Sequence, residues 1–281
     1  MADFLELDDF FRRLWAPPAD PFARVAELSG REFRRVKTRR TFRVELEGRG
    51  YFVKHHLGVG WGEIFKNLLM GKLPVLGALD EYRALIKLKR LGVATMTPAA
   101  CGCRGRDPAH LESFLITGEL ADMVDLETLC ADWRTSPPPS QFRHDLIRAV
   151  AESAGRMHRG GVNHRDCYLC HYLTPRSGAD SGKRVYVIDL HRAQLRTRVP
   201  RRYLVKDLGG LCFSAFDAGL TWRDALRFIR IYSGRKLRRE FRENAPLWQA
   251  ALDCARKLYR KEFRRPAPEL GRNRTVRFPA G

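Results

Sequence analysis

Apolar side chains fall largely on alternating positions between residues 32 and 54, with a turn at 47–50. The alternating residues are Phe33, Val36, Phe42, Val44, Leu46, Tyr51 and Val53. A period of two residues puts side chains on one face of an extended chain, and a glycine-containing turn between two such runs is typical of a hairpin. The pattern therefore predicts two or three antiparallel strands. Residues 1–30 mix apolar and acidic positions, which predicts a short helix and a loop packed on this sheet.

Apolar spacing typical of helices follows further along the chain. Residues 79–91 have apolar side chains three or four positions apart and end at a glycine, which predicts a helix. A second, amphipathic helix is predicted with Ser140 as its N-cap and an apolar face that extends to Met157. Phe114–Thr117 is a predicted strand, and Leu126–Trp133 is a predicted short helix.

A small antiparallel sheet followed by helices predicts an α+β fold. A chain of 281 residues could form one large domain or two small lobes, and the kinase-like features described below favour two lobes. We assign residues 1–30 to an N-terminal extension, 31–120 to a sheet-based N-lobe and 121–265 to a mainly helical C-lobe. Residues 266–281 are rich in Pro, Gly and Arg, which predicts a flexible tail. Within the N-lobe, residues 61–77 predict an inserted helix and loop.

The tripeptide His164-Arg165-Asp166 follows the amphipathic helix, and Asp189 ends a short predicted strand 23 residues after Asp166. This arrangement is typical of protein-kinase-like phosphotransferases. The first acid would accept a proton from an attacking hydroxyl, and the second would hold the magnesium ion that bridges the phosphates of ATP. His-Arg-Asp also occurs by chance, so the prediction depends on the residues around it.

Two N-lobe residues fit the same interpretation. Lys54 follows an apolar run, as does the lysine that pairs with phosphates at the end of the third strand of a kinase. Glu81 lies in the first turn of a predicted helix, where it could pair with Lys54. The alternatives are an exposed lysine and a first-turn acid that the helix dipole favours.

The turn before this lysine lacks the glycine loop of ordinary kinases. Lys37, Arg39 and Arg40 occupy the predicted turn at residues 36–41, where they could hold phosphates as charges or forks. A solvated basic turn would have the same composition.

Residues 118–121 follow a predicted strand at the position of a kinase hinge, where adenine binds backbone groups. Glu119 and Ala121 are therefore candidate nucleotide-binding residues. An ordinary link between a strand and a helix is the alternative.

The 281-residue chain has 52 Lys and Arg against 32 Asp and Glu, a net charge of +20. Such a charge indicates an anionic partner: nucleic acid, an anionic membrane surface or a phosphorylated substrate. Residues 191–206 contain six Lys and Arg and no acid, at the position of a kinase activation segment, which suits an anionic acceptor. Residues 223–265 contain 14 basic and five acidic residues, which suits a solvated face or an anionic lipid surface.

Acidic residues near the N-terminus stand where a signal peptide would carry basic ones, so a cytoplasmic location is expected. The most apolar region, residues 68–79, is too short and too interrupted by Gly, Lys and Pro to span a bilayer. The seven cysteines of a cytoplasmic protein are expected to be reduced thiols.

From about Phe22 to about residue 232 the chain resembles the lipopolysaccharide core heptose(I) kinases of Gram-negative bacteria, a divergent protein-kinase-like family. The most specific matching segments are Lys66–Leu69, Leu73–Ala78, Asn163–His171 and Val187–Gln194. The resemblance implies a two-lobed protein-kinase-like fold, ATP and Mg²⁺ as cofactors, and phosphorylation of the first heptose of the lipopolysaccharide inner core. It also implies acyl carrier protein, which is acidic, as a partner. No nucleic-acid partner is expected, and a peripheral contact with the inner-membrane surface would fit the basic charge.

The resemblance assigns roles residue by residue. Asp166 would be the catalytic base, and Asp189 would ligate magnesium. Lys54 would hold the nucleotide phosphates, and Glu81 would orient it. The segment 207–211 resembles the start of the helix whose aspartate supports the catalytic loop by hydrogen bonds.

Two departures from ordinary protein kinases affect the metal site and regulation. The asparagine expected five residues after Asp166 is His171, a poorer ligand because Mg²⁺ prefers oxygen. The segment Asp189-Leu190-His191 replaces Asp-Phe-Gly and lacks its glycine. The two departures count against a second metal ion and against switching by the activation loop.

Other interpretations of the same residues stay open. Residues 167–171 match the Cys-x-x-Cys-His attachment motif of c-type haem, although haem attachment would require export. Cys101 and Cys103 could join Cys167, Cys170 or His171 around zinc. The chain could also be a kinase for Kdo or an aminoglycoside. A kinase-like module without catalysis, binding nucleic acid or anionic membrane, is a further alternative.

Overall fold

The computed structural model describes residues 3–17, 19–36, 38–70 and 77–270. The chain forms two compact units, which we call the sheet unit (Met1–Ile86 with Met96–Ala121) and the helical unit (Lys87–Thr95 with Asp122–Gly281). Lys37, most of the predicted loop that follows residue 70, and the end of the predicted tail lie outside the described residues.

Six described strands of the sheet unit form one antiparallel sheet in the order β1-β5-β6-β4-β3-β2. They are β1 (Phe4–Leu7), β2 (Arg31–Val36), β3 (Arg39–Leu46), β4 (Arg49–Leu57), β5 (Pro98–Arg104) and β6 (Glu112–Gly118). The predicted strands after residue 32 and at 114–117 are confirmed. Strands β1 and β5 were not predicted, because the apolar residues of β5 do not alternate with polar ones and β1 is a short edge strand.

The register of the β3–β4 hairpin corrects two predictions. Pairing continues as far as Arg39 opposite His56, so Arg39 and Arg40 lie in β3 and not in a turn. Lys54 lies inside β4 and not at its end, because that strand continues to Leu57. The alternation of apolar residues locates the strands correctly but starts β3 too late and ends β4 too early.

The first 30 residues contribute more structure than the predicted helix and loop. Helices α1 (Asp9–Leu14) and α2 (Pro21–Glu27) begin at aspartates whose carboxylates accept backbone N–H groups, a strong N-cap signal. Their apolar faces pack into the core of the sheet unit. The buried residues that they and the following turn supply are Phe10, Phe11, Trp15, Phe22 and Val25.

Two further helices follow β4. Helix α3 (Trp61–Leu69) is the predicted inserted helix, and it buries Ile64 while other large apolar side chains stay exposed. Helix α4 (Leu79–Arg90) confirms the predicted helix at 79–91. It carries Glu81 in its first turn.

The helical unit contains five α-helices and five short strands among its described residues. In chain order they are β7 (Met123–Asp125), α5 (Leu126–Leu129), α6 (Ser140–Arg159), β8 (Val162–Asn163), β9 (Tyr172–Pro175), β10 (Tyr186–Val187), β11 (Gln194–Leu195), α7 (Arg201–Ala215), α8 (Trp222–Ser233) and α9 (Leu237–Phe263). The predicted helix at 126–133 is shorter than expected, because only its first four residues are α-helical. The predicted N-cap is also wrong: Pro139 caps α6, and Ser140 is its first helical residue.

Helices α6, α7, α8 and α9 pack around one apolar core. Its centre is formed by Ala151, Ala154, Leu208, Ile229 and Trp248. Of the core residues on α6, Ala154 belongs to the predicted apolar face, whereas Ala151 was not predicted. Within the described part of the chain, no helix has both the length and the apolar character needed to cross a bilayer.

Candidate active site

The sheet unit contains the predicted ion pair between Lys54 and Glu81. Lys54 Nζ on β4 lies 2.6 Å from Glu81 Oε1 on α4, and the glutamate side chain is only 2% exposed. A buried carboxylate without a cation would be strongly destabilising, so this pair fixes the lysine ammonium group. The pair is confirmed as a contact, and its role in binding nucleotide stays a prediction.

The two basic candidates on β3 are partly engaged by neighbours. Arg40 Nε lies 3.3 Å from Glu32 Oε1, and its guanidinium lies over the ring of Phe42. Arg39 begins the strand and faces His56 in the register. Both are fixed by a strand and not by a mobile turn, so any phosphate contact they make would have a defined geometry.

Glu119, in the predicted hinge, forms a forked ion pair. Arg43 Nε donates to Glu119 Oε1 and Oε2 at 2.8 and 2.9 Å. The N–H of Glu119 donates to the carbonyl of Gly50 at 2.9 Å, and a Cβ at residue 50 would collide with the Glu119 carboxylate. Its side chain and N–H thus serve the sheet, so adenine would have to use other backbone groups of Glu119 and Ala121.

In the helical unit, the predicted catalytic loop follows β8, which pairs with β11. Arg165 and Asp189 both have positive φ, at 72° and 57°. This region of backbone conformation is uncommon for residues other than glycine. Such backbone strain persists only where surrounding contacts enforce it, and it often occurs at functional sites.

Asp207 supplies the strongest of these contacts. Its carboxylate, on a residue that is 1% exposed, accepts the N–H of His164 at 2.6 Å and the N–H of Arg165 at 2.9 Å. His158 Nε2 lies 3.2 Å from the same carboxylate, and His158 Nδ1 lies 2.8 Å from the hydroxyl of Tyr232. The predicted support of the loop by Asp207 is confirmed, although this residue lies in the middle of α7 and not at its start.

His164 links the catalytic loop to the segment that carries Asp189. Its Nε2 donates to the carbonyl of Ile188 at 2.9 Å, and its Nδ1 accepts the N–H of Asp166 at 3.3 Å. Burial lowers the pKa of His164, in agreement with a neutral ring that donates on one side and accepts on the other. A fully buried ring does not meet a substrate, so we assign His164 a positioning role.

Asp166 and Asp189 lie on opposite sides of one imidazole ring. His171 Nδ1 donates to the backbone carbonyl of Asp166 at 2.7 Å, and His171 Nε2 lies 3.6 Å from Asp189 Oδ2. His171 also stacks on His164 with the rings nearly parallel, at 6°. One ring therefore joins the backbone of Asp166 to the side chain of Asp189.

Each of the two acids has a basic partner that the sequence analysis had not singled out. Arg192 Nη1 donates to Asp166 Oδ1 at 2.7 Å, and His191 Nδ1 donates to Asp189 Oδ1 at 2.6 Å. In the sequence, Arg192 stands out only as part of a basic segment, and His191 also as the residue in place of the glycine of Asp-Phe-Gly. Their position two and three residues after Asp189 was the available signal.

The donor set around Asp189 fits a magnesium ion that substrate phosphates would help to hold. Its carboxylate side chain is 33% exposed, and Mg²⁺ usually takes one or two carboxylates together with phosphate oxygens and water. Among the described residues, no group of three or more His, Cys, Asp or Glu could enclose a metal. The His171 ring nitrogen that faces Asp189 remains the second candidate ligand.

The cysteines give no support to the zinc or haem alternatives. Cys101 and Cys103 are buried in β5 of the sheet unit. Cys167 is buried in the helical unit, its Sγ lies 3.3 Å from the Tyr172 hydroxyl, and burial raises the pKa of its thiol. These thiols behave as small apolar side chains.

An antiparallel sheet with a paired lysine and glutamate, and a helical unit with two acids around a supported loop, define a protein-kinase-like phosphotransferase. Residues 23–232 match the Lipopolysaccharide kinase (Kdo/WaaP) family. The chain therefore belongs to this family.

Characterised relatives cover nearly the whole chain. It is 52% identical to the lipopolysaccharide core heptose(I) kinase WaaP of Pseudomonas aeruginosa, over 92% of this chain and 97% of the relative. It is 44% identical to the protein of the same name from Escherichia coli, over 93% and 99%. A solved structure described as WaaP in complex with acyl carrier protein is 47% identical and superposes with a TM-score of 0.79, covering 91% of this chain and 99% of that one.

Replacing Asp207 by alanine should loosen the catalytic loop. The N–H groups of His164 and Arg165 would lose their acceptor, and each buried group left without one costs about 1–3 kcal/mol. Hydrogen exchange measured by mass spectrometry should show at least about tenfold faster exchange in the peptide that contains these two residues.

Asp253→Ala is the control for this experiment, because its side chain is 59% exposed on α9. It should leave exchange in the loop unchanged. Unchanged exchange in Asp207→Ala would mean that these two hydrogen bonds do not hold the loop.

Proposed function

We propose that this protein transfers the terminal phosphoryl group of ATP to a hydroxyl of the first heptose in the lipopolysaccharide inner core. The observation that carries the proposal is the convergence of Asp166 and Asp189 on His171, in a chain that belongs to a kinase family. The names of the relatives support heptose as the acceptor.

Asp166 is the group that orients the attacking hydroxyl and accepts its proton. Its side chain is 17% exposed, and its main chain is held on one side by His171 and His164. Positioning and charge neutralisation supply most of the rate in phosphoryl transfer, so a fixed carboxylate is what the reaction needs. Arg192 must share Asp166 with the incoming hydroxyl.

Charged side chains would hold the nucleotide. Lys54 would bind its phosphates, oriented by Glu81, with Arg39, Arg40 and Lys37 as further cations. Asp189 would hold Mg²⁺, with His171 as the second candidate ligand. The metal ion, when bound, neutralises negative charge on the phosphate oxygens.

Asp166→Ala should lower Mg²⁺-dependent phosphate transfer to core oligosaccharide by at least about 10²-fold, the loss typical of a general base. The measurement is the rate of phosphorylation of core oligosaccharide that lacks heptose phosphate, with the product located by mass spectrometry. Asp180→Ala, at a side chain that is 63% exposed, is a control that should retain wild-type activity.

Near-normal transfer by Asp166→Ala would show that the catalytic base lies elsewhere. Phosphate found on Kdo and not on heptose would favour the other kinase that the family description includes. If the wild-type protein showed no transfer to oligosaccharide and no ATP turnover, a non-catalytic binding module would be favoured.

We also propose acyl carrier protein as a partner, since a similar protein has been solved with it. Helix α9 presents Arg256, Lys257, Arg260 and Lys261 along one groove, which suits an acidic surface. A largely apolar cavity of about 150 Å³ lies in the same unit. It is lined by residues that include Leu146, Val150, Leu208, Phe228 and Trp248. A cavity of this size accepts an apolar group such as benzene, so the end of an acyl chain fits its chemistry.

The cavity predicts that affinity depends on the acyl chain. Calorimetry with acyl carrier protein bearing acyl groups of increasing length should show about fourfold tighter binding per buried methylene until the cavity is filled, because each contributes about 0.8 kcal/mol. Equal affinity for the acylated and unacylated forms would exclude the cavity from the interaction. No binding of either form would contradict the partnership.

A peripheral membrane contact is the third part of the proposal, because the acceptor is lipid-linked. Trp61, Phe65, Leu68 and Leu69 of α3 are 46–90% exposed, and helical geometry puts them on one side of the helix. Residues 31–70 carry ten Lys and Arg against four acids. Apolar side chains beside basic charge are typical of surfaces that bind anionic lipid.

Replacing Phe65 or Leu69 by aspartate should reduce binding to anionic phosphatidylglycerol vesicles by at least about fivefold, because an acid replaces an inserting apolar group. Co-sedimentation measures the bound fraction. Leu14→Asp is the matched control, since Leu14 is 40% exposed on α1 and outside this surface. Binding that is lost equally in the control would contradict a specific role for α3.

A further inference from the structure

A group of positive side chains surrounds Tyr203 on α7. The guanidinium carbons of Arg196 and Arg202 lie 4.9 and 4.7 Å from the centre of its ring, and Lys206 Nζ lies 6.0 Å from it. Arg202 also donates to the Tyr203 hydroxyl at 3.2 Å. We call Arg165, Arg192, Arg196, Arg202 and Lys206 the cation cluster.

Electrostatic effects connect Arg165 and Arg192 to the others. Burial lowers the pKa of the Arg165 guanidinium, and the charge of Arg192 lowers it further. Burial would raise the pKa of Tyr203, but the hydrogen bond from Arg202 and the charges of Arg202, Arg196 and Arg165 outweigh it and lower that pKa. Arg165 is therefore near enough to both Arg192 and Tyr203 for their charges to affect one another. Arg196 follows strand β11, which pairs with the strand that leads into the loop of Arg165.

Acidic partners for these cations are scarce. Within the described residues, Arg192 is the one member with a carboxylate in ion-pair distance, and that carboxylate belongs to Asp166. Arg196 donates instead to the amide oxygen of Gln194, and its buried Nε has no hydrogen-bond partner in the described part of the chain. Like charges held together without counter-charge are destabilising, and a buried N–H without an acceptor adds to that cost.

We propose that the cation cluster binds an anionic group of the acceptor, a carboxylate or a phosphate on a sugar next to the heptose that is phosphorylated. This inference rests on the proposed function and adds the means of acceptor recognition. Guanidinium groups bind both anions through paired N–H donors. Arg192 contacts Asp166 directly, so an anion held by the cluster lies beside the residue that receives the hydroxyl.

The test uses full-length protein and core oligosaccharide that lacks heptose phosphate. Arg202→Gln and Arg196→Gln should each raise the acceptor KM about tenfold, the effect of losing one or two charge-assisted hydrogen bonds. The KM for ATP should stay unchanged, because the cluster recognises the acceptor. Arg201→Gln removes the same charge from the adjacent exposed position on α7 and should leave the acceptor KM as in wild type.

Two modified acceptors identify the anion. One has its carboxylates reduced to alcohols, and the other has its remaining phosphates removed. The acceptor that lacks the recognised group should show a raised KM with wild-type protein and no further rise with Arg202→Gln. If the difference in acceptor KM between wild-type protein and Arg202→Gln disappears with one of the two modified acceptors, the inference is supported. The group that this acceptor lacks is then the recognised anion.

Other outcomes overturn it. If Arg202→Gln and Arg196→Gln match Arg201→Gln in acceptor KM, or if their effect persists with both modified acceptors, the cluster does not bind an acceptor anion, while the heptose kinase activity stands. If wild-type protein transfers no phosphate to heptose, the proposed function fails and this inference fails with it. Melting temperatures of the three variants show whether any loss reflects unfolding.

Discussion

The buried carboxylate of Asp207 is the constraint on which the arrangement of the helical unit depends. Two consecutive backbone N–H groups donate to it from the loop that carries Asp166, and His158 joins it to Tyr232 on α8. A carboxylate without exposure to water must have its acceptors filled, and the strained loop provides the donors. Packing of α6, α7 and α8 therefore determines the conformation of a loop that none of them contains.

Positive charge in this chain is organised around a few acids. Glu81 is paired with Lys54, Glu119 with Arg43, Asp166 with Arg192 and Asp189 with His191. Each pairing fixes the position of a carboxylate and of its cationic partner. The remaining excess of Arg and Lys provides a surface for anionic substrates and partners, which is consistent with a lipopolysaccharide kinase family.

The parts that sequence patterns predicted are those that depend on local chemistry. The His-Arg-Asp segment, the acid 23 residues later and the helix spacing around Glu81 all follow from residues close together in the chain. The ion pair between Lys54 and Glu81, and the support of the loop by Asp207, were predicted only by comparison with protein kinases.

What could not be predicted depends on contacts between distant segments. Strand β1 exists because it pairs with β5, about 95 residues away, and its own sequence gives little signal. Arg39 and Arg40 belong to a strand because the register with β4 extends to His56. The partnership of Arg192 with Asp166 requires two loops to meet, which no local periodicity encodes.

The left-handed backbone at Arg165 and Asp189 has a consequence for how this chain can vary. The strained conformation costs about 1–3 kcal/mol for each residue, and glycine would relieve this strain at both positions. Glycine would also remove the Arg165 guanidinium of the proposed cation cluster or the Asp189 carboxylate that is proposed to hold Mg²⁺. Stability and the proposed activity thus favour different residues at the same two positions. Selection for thermostability alone would therefore tend to reduce the kinase activity.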